Sequence, residues 1–286
     1  MIQKNIYYIL FFSLVILGCG RLDTIEYSPK LSPEAFLSSQ HWIRLEFLGL
    51  KFVLSQPSSS LIVYFVSFFT IFVGYQFFAQ RENHKSKLWW GIGLFLTGAG
   101  AVLAGTSYQA FGYELKCVGR ETCKWTNWWE IIYALLSGLG MNAFLVACAH
   151  SNATGNFKKW ITNYAIVNSI LYSTLLLYGA FVPIQFLVSF EFLSLSSTPS
   201  VIFFIWIYGK AYKQDKSNMN LYLRNTWIIL ILVIFSYAIY MILGFTQTLW
   251  SKGIWFSDND VLHVGMIYWI YYISTKLPSE VKDFTN

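Results

Sequence analysis

Long apolar runs separated by short polar loops dominate the chain. Seven of them, at roughly 59–79, 88–111, 128–149, 160–182, 184–208, 226–249 and 259–275, approach the length of about 20 residues that a helix needs to cross a hydrocarbon core about 30 Å thick. A shorter run opens the chain. Gly, Ser, Thr and aromatic residues are scattered through nearly all of the long runs, which suits helices that pack on one another through small residues. The pattern predicts an all-α, polytopic membrane protein, a seven-helix bundle over residues 58–276. It leaves no room for a soluble domain, and no internal repeat is evident.

Composition agrees. Hydrophobic residues make up 56% of the 286 and charged residues only 12%, where a soluble domain carries roughly a quarter charged. The net charge of +6 invites a nucleic-acid reading, but the charges are placed by topology. "RENHKSK" at 81–87, "NFKK" at 156–159, "KAYKQDKSNMNLYLR" at 210–224 and the tail from Lys276 hold 11 Lys and Arg. The alternate loops hold Lys116, Arg120, Lys124 and Lys252, and the N-terminal segment adds Arg21, Lys30, Arg44 and Lys51. Basic residues near helix ends stay cytoplasmic. The first set of loops therefore faces in, as does the tail at 277–286, and no basic patch for phosphates remains. The N-terminus is expected outside and the C-terminus inside.

"MIQKNIYYILFFSLVILGCG" has one basic residue, Lys4, and then an apolar run too short for a full span. Residues 1–18 read either as a signal peptide or as an uncleaved first helix. "ILGC", ending at Cys19, resembles a bacterial lipobox whose Cys would be lipidated. Residues 19–57 form an external segment. In it Ser32 is suited to cap a helix that has Pro33 at its first position and Glu34 in its first turn. "HWIRLEFLGLKFVLS" mixes aromatic and basic residues, as an interfacial segment or a cap over the bundle mouth would. Cys117 and Cys123, in an outer loop, are expected to pair in an oxidising compartment, since a metal pair would usually have a two-residue gap. Cys148 reads as a buried apolar residue.

Counting depth at 1.5 Å per residue brings polar groups of four runs to the outer third of the bundle. Ser107, Tyr108 and Gln109 end the second run, and Glu130 opens the third. Glu191 falls about 12 Å into a fifth helix starting after Pro183, with no basic partner on its own run. Asp260 and His263 open the last, where Asp258 is placed to cap. Ionisable groups inside a membrane are costly and mark functional sites by default. The same residues have blander readings: a hydrogen-bonded Glu191, carboxylates favoured at helix N-termini, and a hydrogen-bonded interior His263.

"GTSYQ", Gly105–Gln109, and "NDVLH", Asn259–His263, resemble motifs of a bacterial family of seven-helix proteins and, more distantly, of the superfamily of alkaline ceramidases, progestin and adiponectin receptor-like proteins and haemolysin-III-like proteins. The resemblance implies a zinc ion near the outer face, with Ser107, Glu130 and His263 in matching places. Two expected ligands are replaced, by Tyr108 and Ile267, whereas a hydrolytic zinc uses about three protein ligands and an open position. Of the remaining histidines only His41 falls on the outer side.

The leading expectation is therefore a non-catalytic protein of a bacterial cytoplasmic membrane. It would bind or sense a lipid or small amphiphile in an outward-facing pocket built from Ser107, Tyr108, Gln109, Glu130, Glu191, Asp260 and His263, without a cofactor. The first alternative is a zinc-dependent lipid-amide hydrolase with His263 as a metal ligand. The second is a small transporter with Glu191 as proton carrier, although paired broken helices and a repeated half are missing.

Overall fold

The computed structural model describes residues 21–284. The assignments of residues 1–18 and of Cys19 lie outside these.

A short helix α1 (Pro33–Ser38) is followed by two strands, β1 (Trp42–Phe47) and β2 (Leu50–Ser55). Ser32 caps α1, its Oγ accepting from Ala35 N. Then come α2 (Pro57–Ala79), α3 (Lys85–Ala104), α4 (Gly112–Lys116), α5 (Trp128–Asn152), α6 (Gly155–Phe181), α7 (Phe190–Asp215), α8 (Asn218–Ile242), α9 (Phe245–Trp250) and α10 (Asp258–Lys276). Six helices, α2, α3 with its continuation to Ala110, and α5 to α8, are long and apolar enough to cross a membrane. The fold is thus a mostly helical, polytopic bundle. α10 packs in the same bundle but is not among the six, having Asp258 and Asp260 in its first turn.

Sequence expectation and structure differ at several boundaries. "HWIRLEFLGLKFVLS" forms an antiparallel hairpin with Trp42 opposite Ser55 and Phe47 opposite Leu50. Its two turn residues, Leu48 (φ 52) and Gly49 (φ 78), are both left-handed, the geometry that lets a two-residue turn follow the strand twist. The run at 184–208 does not begin a helix at Pro183. A 3-10 turn, Gln185–Val188, comes first, and α7 starts at Phe190 because Ser189 Oγ accepts from Phe192 N at 3.2 Å. The run at 226–249 is two helices broken at Gly244, whose φ of 65 a glycine adopts without cost. α10 is capped by Ser257 rather than Asp258, in a capping box with Asp260.

α2 packs on α3 and on α10, α3 on α5, α5 on α6 and α7, α7 on α8, and α8 on α10. The succession closes a ring of α2, α3, α5, α7, α8 and α10, with α6 against α5 outside it. Glycines bring α3 and α5 close: a Cβ on Gly140 would lie 2.8 Å from Thr97 Oγ1 and 3.1 Å from the carbonyl oxygen of Gly93. Rings fill the ring's interior, with Phe204 stacked on Trp227 at 4.3 Å and Trp90 against Phe144 at 4.8 Å. Trp269 Nε1 donates to the Thr226 carbonyl at 2.8 Å. Outward faces carry exposed large apolar residues, among them Phe65, Phe68 and Phe72 on α2 and Ile231, Leu232 and Phe235 on α8, a belt far beyond the apolar patches of water-soluble monomers.

The two ends of the bundle are closed differently. At one, the C-terminal segment folds back: Leu277 and Val281 are buried, and the Asp283 carboxylate accepts from Lys85 N and Ser86 N at the start of α3. At the other lie the hairpin and the loop joined by the Cys117–Cys123 disulfide. Val53 N of the hairpin donates to Glu114 Oε1 at 2.7 Å, and Trp125 N donates to Ile25 O at 2.9 Å. Cys148 is free and buried.

Candidate functional site

The disulfide end of the ring holds a cavity of about 380 Å³. α3 ends above it in a π turn, Gly105–Ala110, a widened helical turn common at functional sites. This turn places Tyr108 and Gln109 in the wall and Ser107 behind it. α5, capped by Asn127 Oδ1 accepting from Trp129 N and Glu130 N, contributes Glu130 and Tyr133. α7 contributes Phe190 and Glu191 from its first turn, and α10 contributes Asn259 and His263. Tyr27, Trp125 and Tyr237 complete an aromatic wall.

The polar centre of the cavity is an ion pair that sequence reading did not find. Lys116 Nζ lies 2.5 Å from Glu130 Oε1, and both side chains are nearly inaccessible to solvent. Nζ also donates to the Trp125 carbonyl at 3.1 Å and stands 4.8 Å over the Tyr108 ring. Ser107 Oγ donates to Glu130 Oε1 at 2.7 Å and accepts from Asn127 Nδ2 at 2.5 Å. From sequence, Lys116 counts only as a loop charge. The signal available was its position directly before Cys117, since the disulfide pins its backbone against the mouth.

Three groups lining the cavity keep acceptor capacity. Gln109 Oε1 is buried without a hydrogen-bond partner. His263 Nδ1 lies 2.7 Å from the Asn259 carbonyl and must donate to it, so the uncharged ring carries its lone pair on Nε2. Glu191 makes no ion pair among the described residues and is exposed at the rim.

Of the residues expected from sequence, Tyr108, Gln109, Glu130, Glu191 and His263 line this one cavity. Ser107 supports it from behind. Asp260 is not in its wall: fully buried, its Oδ2 accepts from Ser257 N at 2.6 Å and from Ser257 Oγ at 3.1 Å in the cap of α10, while Oδ1 is buried without a partner. Glu191 stands in the first turn of α7, which starts six residues later than its apolar run. His41 is held between Trp250 and Trp255, 4.7 Å from each ring, and does not line the cavity. Among the described residues no group of three or more His, Cys, Asp or Glu side chains could hold a metal ion.

A second cavity of about 250 Å³ lies along the ring interior and shares Phe190 with the first. Met141, Phe144, Trp227, Met266 and Trp269 make its apolar wall, and Ser194, Ser197 and Thr198 of α7 its side. Outside the membrane-spanning helices, Asp23 ties the N-terminal segment to the disulfide loop through Arg120 and Lys124. Partial burial raises its carboxyl pKa, but the two cations outweigh that and hold it below its usual value.

A family model described as "Family of unknown function (DUF6962)" matches residues 58–277. The chain belongs to this family. The match covers α2 to α10 and leaves out the hairpin. No curated protein and no solved structure matches the chain.

Proposed function

We propose that the bundle binds a lipid or small amphiphile, its polar head in the outer cavity and its apolar part in the cavity beneath. The observation that carries this reading is the stacking of the two: polar groups and aromatic rings above, Met, Phe and Trp side chains below, with Phe190 in both walls. Ligand sites are concave and mostly apolar with a few convergent polar groups, and this interior is graded from polar to apolar as an amphiphile is. The aromatic plug at Trp90, Phe144, Phe204 and Trp227 stands below, which favours binding over passage through the bundle.

In this reading α10 is the seventh span, the basic loops and C-terminus face the cytoplasm, and the cavity opens outward. The membrane is a bacterial cytoplasmic membrane, a placement supported by the lipobox-like "ILGC" at 16–19 and by the loop charges. The distant likeness to ceramidase-related proteins fits a polar intramembrane site at this depth. The ligand set falls short of a zinc hydrolase.

Photo-crosslinking tests the reading. An amphiphile with a diazirine on its chain should label peptides that contain Met141 and Met266. Labelling confined to the lipid-facing belt around Phe65 and Phe68 would refute it.

A further inference from the structure

The outer cavity sets acceptors without partners among the hydroxyl-bearing rings of Tyr27, Tyr133 and Tyr237. Lys116 is engaged: its ammonium is paired with Glu130, donates to the Trp125 carbonyl and stands over the face of the Tyr108 ring. Ser107 and Asn127 donate within the same cluster. The acceptors that remain are Gln109 Oε1, buried and unpartnered, the Nε2 lone pair of an uncharged His263, and the carboxylate of Glu191 without a counter-ion among the described residues. An anionic head would be repelled by the Glu191 carboxylate at the rim, whereas a cationic head is drawn to it.

The charge balance points the same way. Glu130 and Lys116 cancel, which leaves Glu191 as the carboxylate of the cavity wall without a cationic partner among the described residues. The wall around it is Tyr27, Trp125, Tyr133 and Tyr237, and the faces of such rings attract cations, more strongly as water is excluded. Three acceptors, one uncompensated carboxylate and an aromatic wall are a receiving site for an N–H-bearing cation.

We infer that the ligand is a long-chain amine, a cationic amphiphile whose protonated amino group sits between Glu191, Gln109 and His263 while its chain follows α7 into the lower cavity. The inference rests on the amphiphile reading above and adds the chemistry of the head group. An alkylamine has a pKa near that of Lys, about 10.4, so it enters as the cation at neutral pH. Glu191, at the rim, is placed to meet it first.

The test is a matched series with one chain and four heads, measured by calorimetry on the full protein in nanodiscs: dodecylammonium, dodecyltrimethylammonium, dodecyl maltoside and dodecyl sulfate. Dodecylammonium should bind at least about 10-fold tighter than the maltoside, since one charge-assisted hydrogen bond is of that order. Glu191→Gln should remove most of that preference, weakening dodecylammonium far more than dodecyl maltoside, whereas a misfolded variant would lose both alike. Equal or tighter binding of the trimethylammonium, maltoside or sulfate head would overturn the amine inference while leaving the amphiphile cavity in place. Binding of none of the four would overturn both.

Discussion

Lys116 and Glu130 form a buried ion pair whose worth lies in its completeness. Removing one partner strands a charge where water cannot reach it, at a cost of about 3–5 kcal/mol, whereas replacing both with apolar residues of similar volume can be neutral. Lys116→Met should therefore lower thermal stability sharply, and Lys116→Met combined with Glu130→Leu should recover much of the loss in the same melting experiment. Asp23 acts outside the membrane and depends on pH. Its pKa is depressed in the folded state, so its stabilising contribution is present above the ordinary carboxylate range and is lost as pH falls through the lowered value. Hydrogen exchange at residues 21–31 should be slow at neutral pH and faster in acid, and a rate independent of pH after correction for intrinsic exchange would contradict the role given to Asp23. The residues that chemistry marks as unusual in a membrane segment, Glu130, Glu191 and His263, were legible in the sequence because their cost is local. Lys116 was not, because its burial is imposed by a disulfide and by Ile25, Leu31 and Trp125 from other segments. Ser257 and Asp260 likewise required the cap to be seen: either Ser257 or Asp258 can cap, and the reciprocal bond from Ser257 N to Asp260 decides for Ser257.

At the scale of elements, close approach of helices explains the position of the site. α3 and α5 meet through Gly93, Gly100 and Gly140, and this contact places the π turn of α3 beside the first turn of α5, where Ser107 meets Glu130. Gly140→Leu should force the helices apart and destabilise the fold by about 1–3 kcal/mol or more. Gly209→Leu, where the nearest atom to a new Cβ is Arg224 Cδ at 3.7 Å, should be tolerated. Equal shifts in melting temperature for the two would count against this packing. The apolar runs revealed helices well because length and composition alone satisfy the membrane. They revealed ends poorly: continuity across Ile184–Ser189 and across Gly244 hid two breaks set by a cap and a left-handed glycine. The hairpin was hidden for another reason. Leu48-Gly49 lacks the Asn or Asp that usually announces a two-residue turn, and β1 is exposed along nearly its whole length, so no alternation of buried and exposed positions marks it.

For the whole molecule, the ring of α2, α3, α5, α7, α8 and α10 is a container plugged by Trp90, Phe144, Phe204 and Trp227. It is lidded on one side by the hairpin and disulfide loop and sealed on the other by the returning C-terminal segment. The polytopic architecture followed from hydropathy alone, and convergence of distant polar groups followed from counting depth along it. The graded interior did not, since the walls of the lower cavity are Met, Phe and Trp residues that look like any packing residue in an apolar run. The central claim is that this interior holds an amphiphile. Native mass spectrometry of the protein released from nanodiscs of cell membrane tests it most directly, compared with Ser197→Trp, which fills the lower cavity. The account predicts one amphiphile retained per chain in the unaltered protein and its loss in the variant. An unoccupied unaltered protein, or equal occupancy in both, would contradict it.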